Sequence, residues 1–284
     1  MKFAKPILKL IISGLILYFI FEKLDIAALA ETLKETKLWL LFIGFIFFVL
    51  SQFVSSLRLH LFWSALDVDI TKADNWKLYL VGMYYNLLLP GGIGGDGYKV
   101  YILNKAHKTG KKRLISALIF DRLAGLLALF LWLCLLFAIF TRWKDFGTSV
   151  PFTLITLGIC SLPMSYFIIH RFFTMYAPLY ISALSYSLLI QGLQLTTCVL
   201  ILYALGAFNF FLPYLAVFLV SSIAAVIPIT FGGAGARELT FLTSANYFPS
   251  IDVNVAVSLG LLFYIISVLA SLLGIGYSFK KKIE

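Results

Sequence analysis

The chain has 284 residues, 61% of them hydrophobic and 13% charged, with a mean hydropathy of +0.97. A soluble domain of this size carries about 25% charged residues, so these values, with several apolar runs of about eighteen residues or more, exclude a soluble fold and point to a polytopic membrane protein. The net charge of +10 is spread along the chain in a way that argues against nucleic-acid binding; Cys134, Cys160 and Cys198 lie in apolar runs without CxxC spacing, and His60, His107 and His170 stand singly, so no metal, thiol chemistry or cofactor is expected.

In chain order, apolar runs predict spans at about 4–21, 38–63, 114–141, 150–169, 179–205 and 253–279. The first follows Lys2 and Lys5 and is read as an uncleaved span rather than a signal peptide. Its apolar stretch is long, and Glu22, Lys23 and Asp25 separate it from the Ala-Leu-Ala at 28–30. Two further apolar pieces, about 76–89 and 210–229, end at proline and glycine. The former, about fourteen residues or about 21 Å as a helix, is too short for a hydrocarbon core of about 30 Å. The latter is long enough to cross by itself.

Basic residues set the sidedness, because cytoplasmic loops are enriched in Lys and Arg. Lys2, Lys5 and Lys9 place the N-terminus inside, and the mixed charges of 22–37 suit the outside. Lys99, Lys105, Lys108, Lys111, Lys112 and Arg113, with no acid among them, mark 99–113 as cytoplasmic. They suffice for orientation, and each would also attract anionic headgroups by about 1 kcal/mol near the surface. Arg142 and Lys144 then fall outside, and His170, Arg171 and Lys280, Lys281 and Lys282 inside. This pattern closes only if 76–89 enters and leaves on the cytoplasmic side and 210–229 does so on the outer side. The expected fold is therefore all-α and polytopic: one integral membrane domain, 1–284, with about six spans and two oppositely oriented re-entrant helical hairpins. The expected location is the cytoplasmic (inner) membrane of a prokaryote, with both termini cytoplasmic.

The two broken pieces share a motif. "PGGIGGDGYK" from Pro90 and "PITFGGAGAR" from Pro228 both read P-x-x-x-G-G-x-G-x-[KR], matching Pro90, Gly94, Gly95, Gly97 and Lys99 with Pro228, Gly232, Gly233, Gly235 and Arg237. A polar patch precedes each at nearly the same distance: Gln52 with Ser51, Ser55 and Ser56, and Gln191 with Gln194, Thr196 and Thr197. The chain thus reads as an inverted repeat with halves at approximately 38–141 and 179–279. Non-helical backbone at membrane depth survives only where protein buries it or where it lines a wet cavity. Paired broken helices in inverted repeats are the plan of secondary transporters, with substrate near the midplane. Each helix restarting after its glycines presents free N–H groups and a positive dipole end that favour an anion, and the anion most available in a bilayer is a lipid phosphate. Lys99 and Arg237 would add formal positive charge there. Gly92, Gly94 and Gly97 also satisfy G-x-G-x-x-G, but no strand precedes them and no acidic ribose ligand follows, so a dinucleotide site is not expected.

Ionisable residues inside spans are functional hypotheses by default. Here they are Arg58, Asp96, Asp121, Arg122, Arg237 and Glu238, whose charges sum to zero, as mutual ion pairing would require. Asp96 suits an N-cap. Adjacent on a helix, Asp121 and Arg122 point about 100° apart, so Asp121 is expected to meet a hairpin while Arg122 reaches another group or a headgroup. Guanidinium forks match phosphate, which favours ligand roles for Arg122 and Arg237. Arg58, near the cytoplasmic end of its span, is expected to snorkel. Gln191 and Gln194 share a helix face suited to interhelical hydrogen bonds.

"NLLLPGGIGGDGYKVYIL", then "DRLAGLLAL", then "IPITFGGAGARE" together resemble the lysylphosphatidylglycerol synthase/flippase membrane-domain family over nearly the whole chain. The resemblance implies a membrane domain that moves aminoacylated or glycosylated lipids between leaflets; aminoacyl transfer belongs to a separate soluble domain and is not carried over. It places Asn86, Pro90, Gly94, Asp96, Asp121, Arg122, Pro228, Gly233 and Glu238 at family motif positions, whereas relatives often have an apolar residue where Arg237 stands. The expected substrate-binding set is Asn86, Gly94, Gly95, Asp96, Lys99, Asp121, Arg122, Gly232, Gly233, Arg237 and Glu238, with Pro90, Gly97, Pro228 and Gly235 shaping the hairpins. The leading reading is a flippase for an anionic lipid or lipid-linked glycan. The others are a non-catalytic membrane partner that presents lipid to a glycosyltransferase or lipid synthase, and an intramembrane enzyme using Asp96 or Glu238 on lipid phosphates.

Overall fold

The computed structural model describes residues 36–88, 94–139, 149–208, 211–226, 240 and 251–278. The described residues form helices α1 (Leu38–Ser64), α2 (Lys72–Leu88), α3 (Gly94–His107), α4 (Lys111–Ile139) and α5 (Ser149–Phe172). After a 3-10 turn at Thr174–Leu179 come α6 (Tyr180–Ala204), α7 (Phe211–Val226), α8 (Val253–Leu272) and the short α9 (Ile275–Ser278). Apolar sequence at membrane depth must satisfy its own backbone, and with no β-strand among the described residues the helix does so here. Five helical segments are long and apolar enough to cross: Leu38–Ser64, Lys111–Ile139, Phe152–Phe172, Thr174–Ala204 and Asn254–Tyr277. They match five of the six expected spans; the run at 4–21 lies outside the described residues. The protein is an all-α, multi-pass membrane protein.

Helix α2 starts earlier than its apolar run suggests, at Lys72 rather than near 76. Thr71 accepts the N–H of Asp74 at 3.1 Å, and its hydroxyl donates to the Asp74 carboxylate at 2.7 Å, a capping box that draws polar residues into the first turn. The hydrogen bond from Lys77, reinforced by Thr71, holds the Asp74 carboxyl below its ordinary range. Even so extended, α2 has 17 residues, or about 25 Å, still short of the hydrocarbon thickness.

Helices α2 and α3 form an antiparallel pair on either side of the glycine-rich segment 89–93, which lies outside the described residues with Pro90. Lys99 belongs to α3 and is buried, not part of a cytoplasmic loop as its charge suggested; the exposed basic turn begins further on. That turn is closed by Lys108 in the left-handed region (φ 53°) and by the Asn104 side chain, which accepts the Gly110 N–H at 3.0 Å.

Helices α1 and α6 pack antiparallel along their polar faces, with Arg58 bonded to Ser187 near one end and Thr197 to the Gly44 carbonyl near the other. Both end in the same cap. Asp67 (φ 56°) turns α1 so that Val68 N–H reaches the Trp63 carbonyl, and Gly206 (φ 73°) turns α6 so that Ala207 N–H reaches that of Leu202. This is the Schellman arrangement, in which a left-handed residue redirects the chain and satisfies the last carbonyls. Asp67 follows Gln52, and Gly206 follows Gln191, at the same distance, and each precedes the start of the next helix, Lys72 or Phe211, by the same number of residues.

Two apolar clusters hold the helices together. One gathers Leu59, Trp63, Leu78, Leu103, Leu114, Phe120 and Tyr176 around the basic ends of α1–α4. The other gathers Phe48, Leu129, Leu195, Phe218, Leu259 and Phe263 from α1, α4, α6, α7 and α8. On α1, α4 and α6 the polar residues fall between the two: Ser55 and Arg58, Asp121 and Arg122, Ser187 and Gln191. A polar layer thus divides the apolar interior, roughly 9–15 Å along α1 and α4 from their basic ends.

Candidate functional site

The site is built on the α2–α3 pair. Gly95 lies directly against Gly82, so close that a β-carbon on Gly95 would collide with the Gly82 carbonyl and backbone. Asn86, on α2, accepts the Gly95 N–H at 2.7 Å and so satisfies one of the free donors at the start of α3. That assigns the capping role to Asn86 and corrects the expectation for Asp96: α3 already begins at Gly94, which leaves Asp96 inside its first turn with both oxygens available to cations. Tyr85 and Tyr98 stack across the pair at 4.5 Å between ring centroids. Gly97 is exposed, and a β-carbon there would touch nothing within 4 Å, so no close approach inside the protein demands its glycine, contrary to the hairpin-shaping role expected of it.

From this platform Asp96 meets two cations. Its Oδ1 accepts from Lys99 Nζ at 3.1 Å, and its Oδ2 accepts from both Nε (3.0 Å) and Nη2 (2.6 Å) of Arg122 on α4. The stem of Lys99 lies on Gly82, and its ammonium sits 4.6 Å from the centroid of the Tyr79 ring, within cation–π range. Tyr79 donates to Ser55 of α1 at 2.8 Å.

The neighbouring residue on α4 serves a different partner. Asp121 Oδ1 accepts from Arg58 Nε at 2.8 Å, and Arg58 Nη1 donates to Ser187 of α6 at 2.8 Å. Gly125, one turn beyond Asp121, leaves room for the guanidinium, since a β-carbon there would sit 3.3 Å from Nη1. Arg58 therefore does not snorkel to the surface; its side chain is 6% exposed. The expected division of labour between Asp121 and Arg122 is also reversed: Arg122 reaches the hairpin, and Asp121 reaches α1. Their divergence of about 100° holds, but helix register alone could not say which partner lay in which direction.

Arg58, Lys99 and Arg122 face Asp96 and Asp121, so this cluster carries one net positive charge. The zero sum expected from sequence omitted Lys99. Exposure is uneven across it: the Arg122 side chain is 44% exposed and that of Asp96 13%. Gln191, one turn from Ser187 on α6, is buried with its Oε1 lacking a hydrogen-bond partner, as is the Ser222 hydroxyl of α7. For that oxygen the expected interhelical hydrogen bond is not formed; its position beside the polar layer suits a wet or ligand-lined surface.

Sequence reasoning found Asn86, Gly95, Asp96, Lys99, Asp121 and Arg122, and the structure brings all six to one region. Gly94 begins α3 beside them. Pro228, Gly232, Gly233, Gly235, Arg237 and Glu238 lie outside the described residues. Tyr79, Gly82, Gly125 and Ser187 were missed. Ser187 alone left a trace, lying four residues before Gln191 on the same helix face.

A family model described as Lysylphosphatidylglycerol synthase TM region matches residues 7–274. No curated protein and no solved structure matches the chain.

Proposed function

The chain belongs to the lysylphosphatidylglycerol synthase TM region family, and on that basis we propose that it is a flippase for an anionic lipid or lipid-linked glycan. The headgroup passes through the polar layer beside the α2–α3 pair while the acyl chains stay in the bilayer. The observation that carries this reading is the cluster with a net positive charge, set between two apolar cores and approachable at Arg122. A phosphate entering there meets a guanidinium fork, a buried ammonium and the start of a helix, all of which favour an anion.

The second glycine motif completes the passage from the other side, with Gly232, Gly233, Arg237 and Glu238 facing the headgroup and Pro228 and Gly235 shaping the turn. The matching caps and spacings of α1–α2 and α6–α7 support the inverted repeat on which this rests. The halves are unequal in charge. At the offset that relates Gln52 to Gln191, Arg58 corresponds to Thr197, and Asp121 and Arg122 to Gly260 and Leu261. The phosphate-holding charges therefore belong to the first half, whose hairpin is re-entrant from the cytoplasmic side of a prokaryotic inner membrane, with both chain termini inside.

The test is movement of a fluorescent phosphatidylglycerol between leaflets of liposomes containing the purified protein, followed by mass analysis of the recovered lipid. The wild type is expected to move the lipid unchanged. Arg122→Ala should slow movement about 10- to 100-fold, the scale of losing hydrogen bonds to a charged group. A chemically altered lipid would instead mark an intramembrane enzyme. Lipid bound but not moved would mark a protein that presents lipid to a separate glycosyltransferase or lipid synthase.

A further inference from the structure

Two ion pairs issue from adjacent residues of α4, and they differ in kind. Arg58–Asp121 is sealed: the side chains are 6% and 13% exposed, and a second donor of Arg58 is bound by Ser187. Arg122–Asp96 is open on the arginine side, at 44%. Its bonds are also lopsided, because Nε and Nη2 both converge on one carboxylate oxygen, Oδ2. A guanidinium fork is best matched by two oxygens in parallel, which a phosphate can present. Asp96 has somewhere to remain if Arg122 is taken from it. Lys99 holds its other oxygen at 3.1 Å, and the first turn of α3 favours a carboxylate.

We propose that Asp96 is a displaceable counter-ion, which occupies Arg122 in the headgroup-free state and yields it to the substrate phosphate. This rests on the headgroup reading above and narrows it to a class of substrate. The cluster carries one net positive charge, so a headgroup with one negative charge, a phosphodiester, neutralises it. A phosphomonoester or a diphosphate would leave excess negative charge in a poorly solvated layer. Asp96 is then a specificity-determining residue as well as a tether.

The test uses the full chain in detergent and the water-soluble probe dihexanoyl phosphatidylglycerol. The wild type should bind it, bind dihexanoyl phosphatidate more weakly, and bind inorganic phosphate more weakly still. Asp96→Asn, which frees the fork, should bind the phosphatidylglycerol probe about tenfold tighter. Wild-type binding that Asp96→Asn leaves unchanged or weakens overturns the counter-ion role and spares the headgroup reading. Phosphatidate bound as tightly as phosphatidylglycerol overturns the phosphodiester class, and inorganic phosphate bound equally well assigns the site to free phosphate and overturns the lipid assignment. Absence of wild-type binding overturns both the inference and the reading beneath it. Should Asp96→Asn fail to fold, infrared difference spectra of the wild type labelled with carbon-13 aspartate decide: probe binding should shift one carboxylate band, and an unshifted spectrum at saturation contradicts displacement.

Discussion

Gly95→Ala is expected to abolish the folded α2–α3 pair. The added methyl collides with the carbonyl and backbone of Gly82, which cannot swing aside as a flexible side chain could. Relief requires the two helices to separate. That breaks the Asn86 bond to Gly95 N–H, unstacks Tyr85 from Tyr98 and moves Asp96 away from Arg122. Overpacking typically costs about 1–3 kcal/mol and more where backbone must shift, so a loss of at least about 3 kcal/mol is expected. The measurement is the thermal transition of detergent-purified protein, with the fraction recovered as a single species. Gly97→Ala is the control, two residues away in the same turn, where the methyl meets open space. It should be neutral or stabilise by about 0.5–1 kcal/mol, since alanine is preferred to glycine inside a helix. Equal losses at the two positions would contradict the close-packed pair.

Asp121→Ala should destabilise by about 3–5 kcal/mol, because it strands the buried Arg58 guanidinium with only Ser187 for company. Arg122→Ala, one residue on, should cost far less stability, since its side chain is 44% exposed and Asp96 retains Lys99. The pair of variants therefore separates the two roles: one loses the fold and the other loses movement. Replacing both sealed partners at once, Arg58→Met with Asp121→Leu, should recover most of the stability lost in Asp121→Ala, because no unpaired charge remains. If the double variant were as unstable as the single one, the charge-burial explanation would fail and packing around Gly125 would be the cause.

The crossing helices were legible in the sequence because a bilayer demands long apolar runs, and α1, α4, α5, α6 and α8 fall within a few residues of them. The glycine-rich break was legible too, since proline and paired glycines end a helix wherever they occur. What could not be read was which residue meets which. Arg58 and Asp121 lie 63 positions apart, and helices apolar on nearly every side offer no stripe to fix their rotation about the axis. The same ignorance made Asp96 look like a cap, when Asn86 reaches over from the preceding helix to do that work. It also made Gly95 and Gly97 look alike, because close approach is a property of the packed pair and not of the motif. Lys99 was misplaced for a related reason: charge alone put it in a cytoplasmic loop, while Gly82 and Tyr79 make room for it inside.

The central claim is that the lipid headgroup travels past the face of α3 that carries Asp96 and the uncontacted Gly97. The most direct measurement places one cysteine there, Gly97→Cys, in a chain whose Cys134, Cys160 and Cys198 have been replaced. The protein is reconstituted in liposomes, treated with a charged methanethiosulfonate, and assayed for leaflet-to-leaflet movement of fluorescent phosphatidylglycerol. Modification is expected to stop the movement, and reduction of the mixed disulfide to restore it. Complete modification at an unchanged rate would contradict the account.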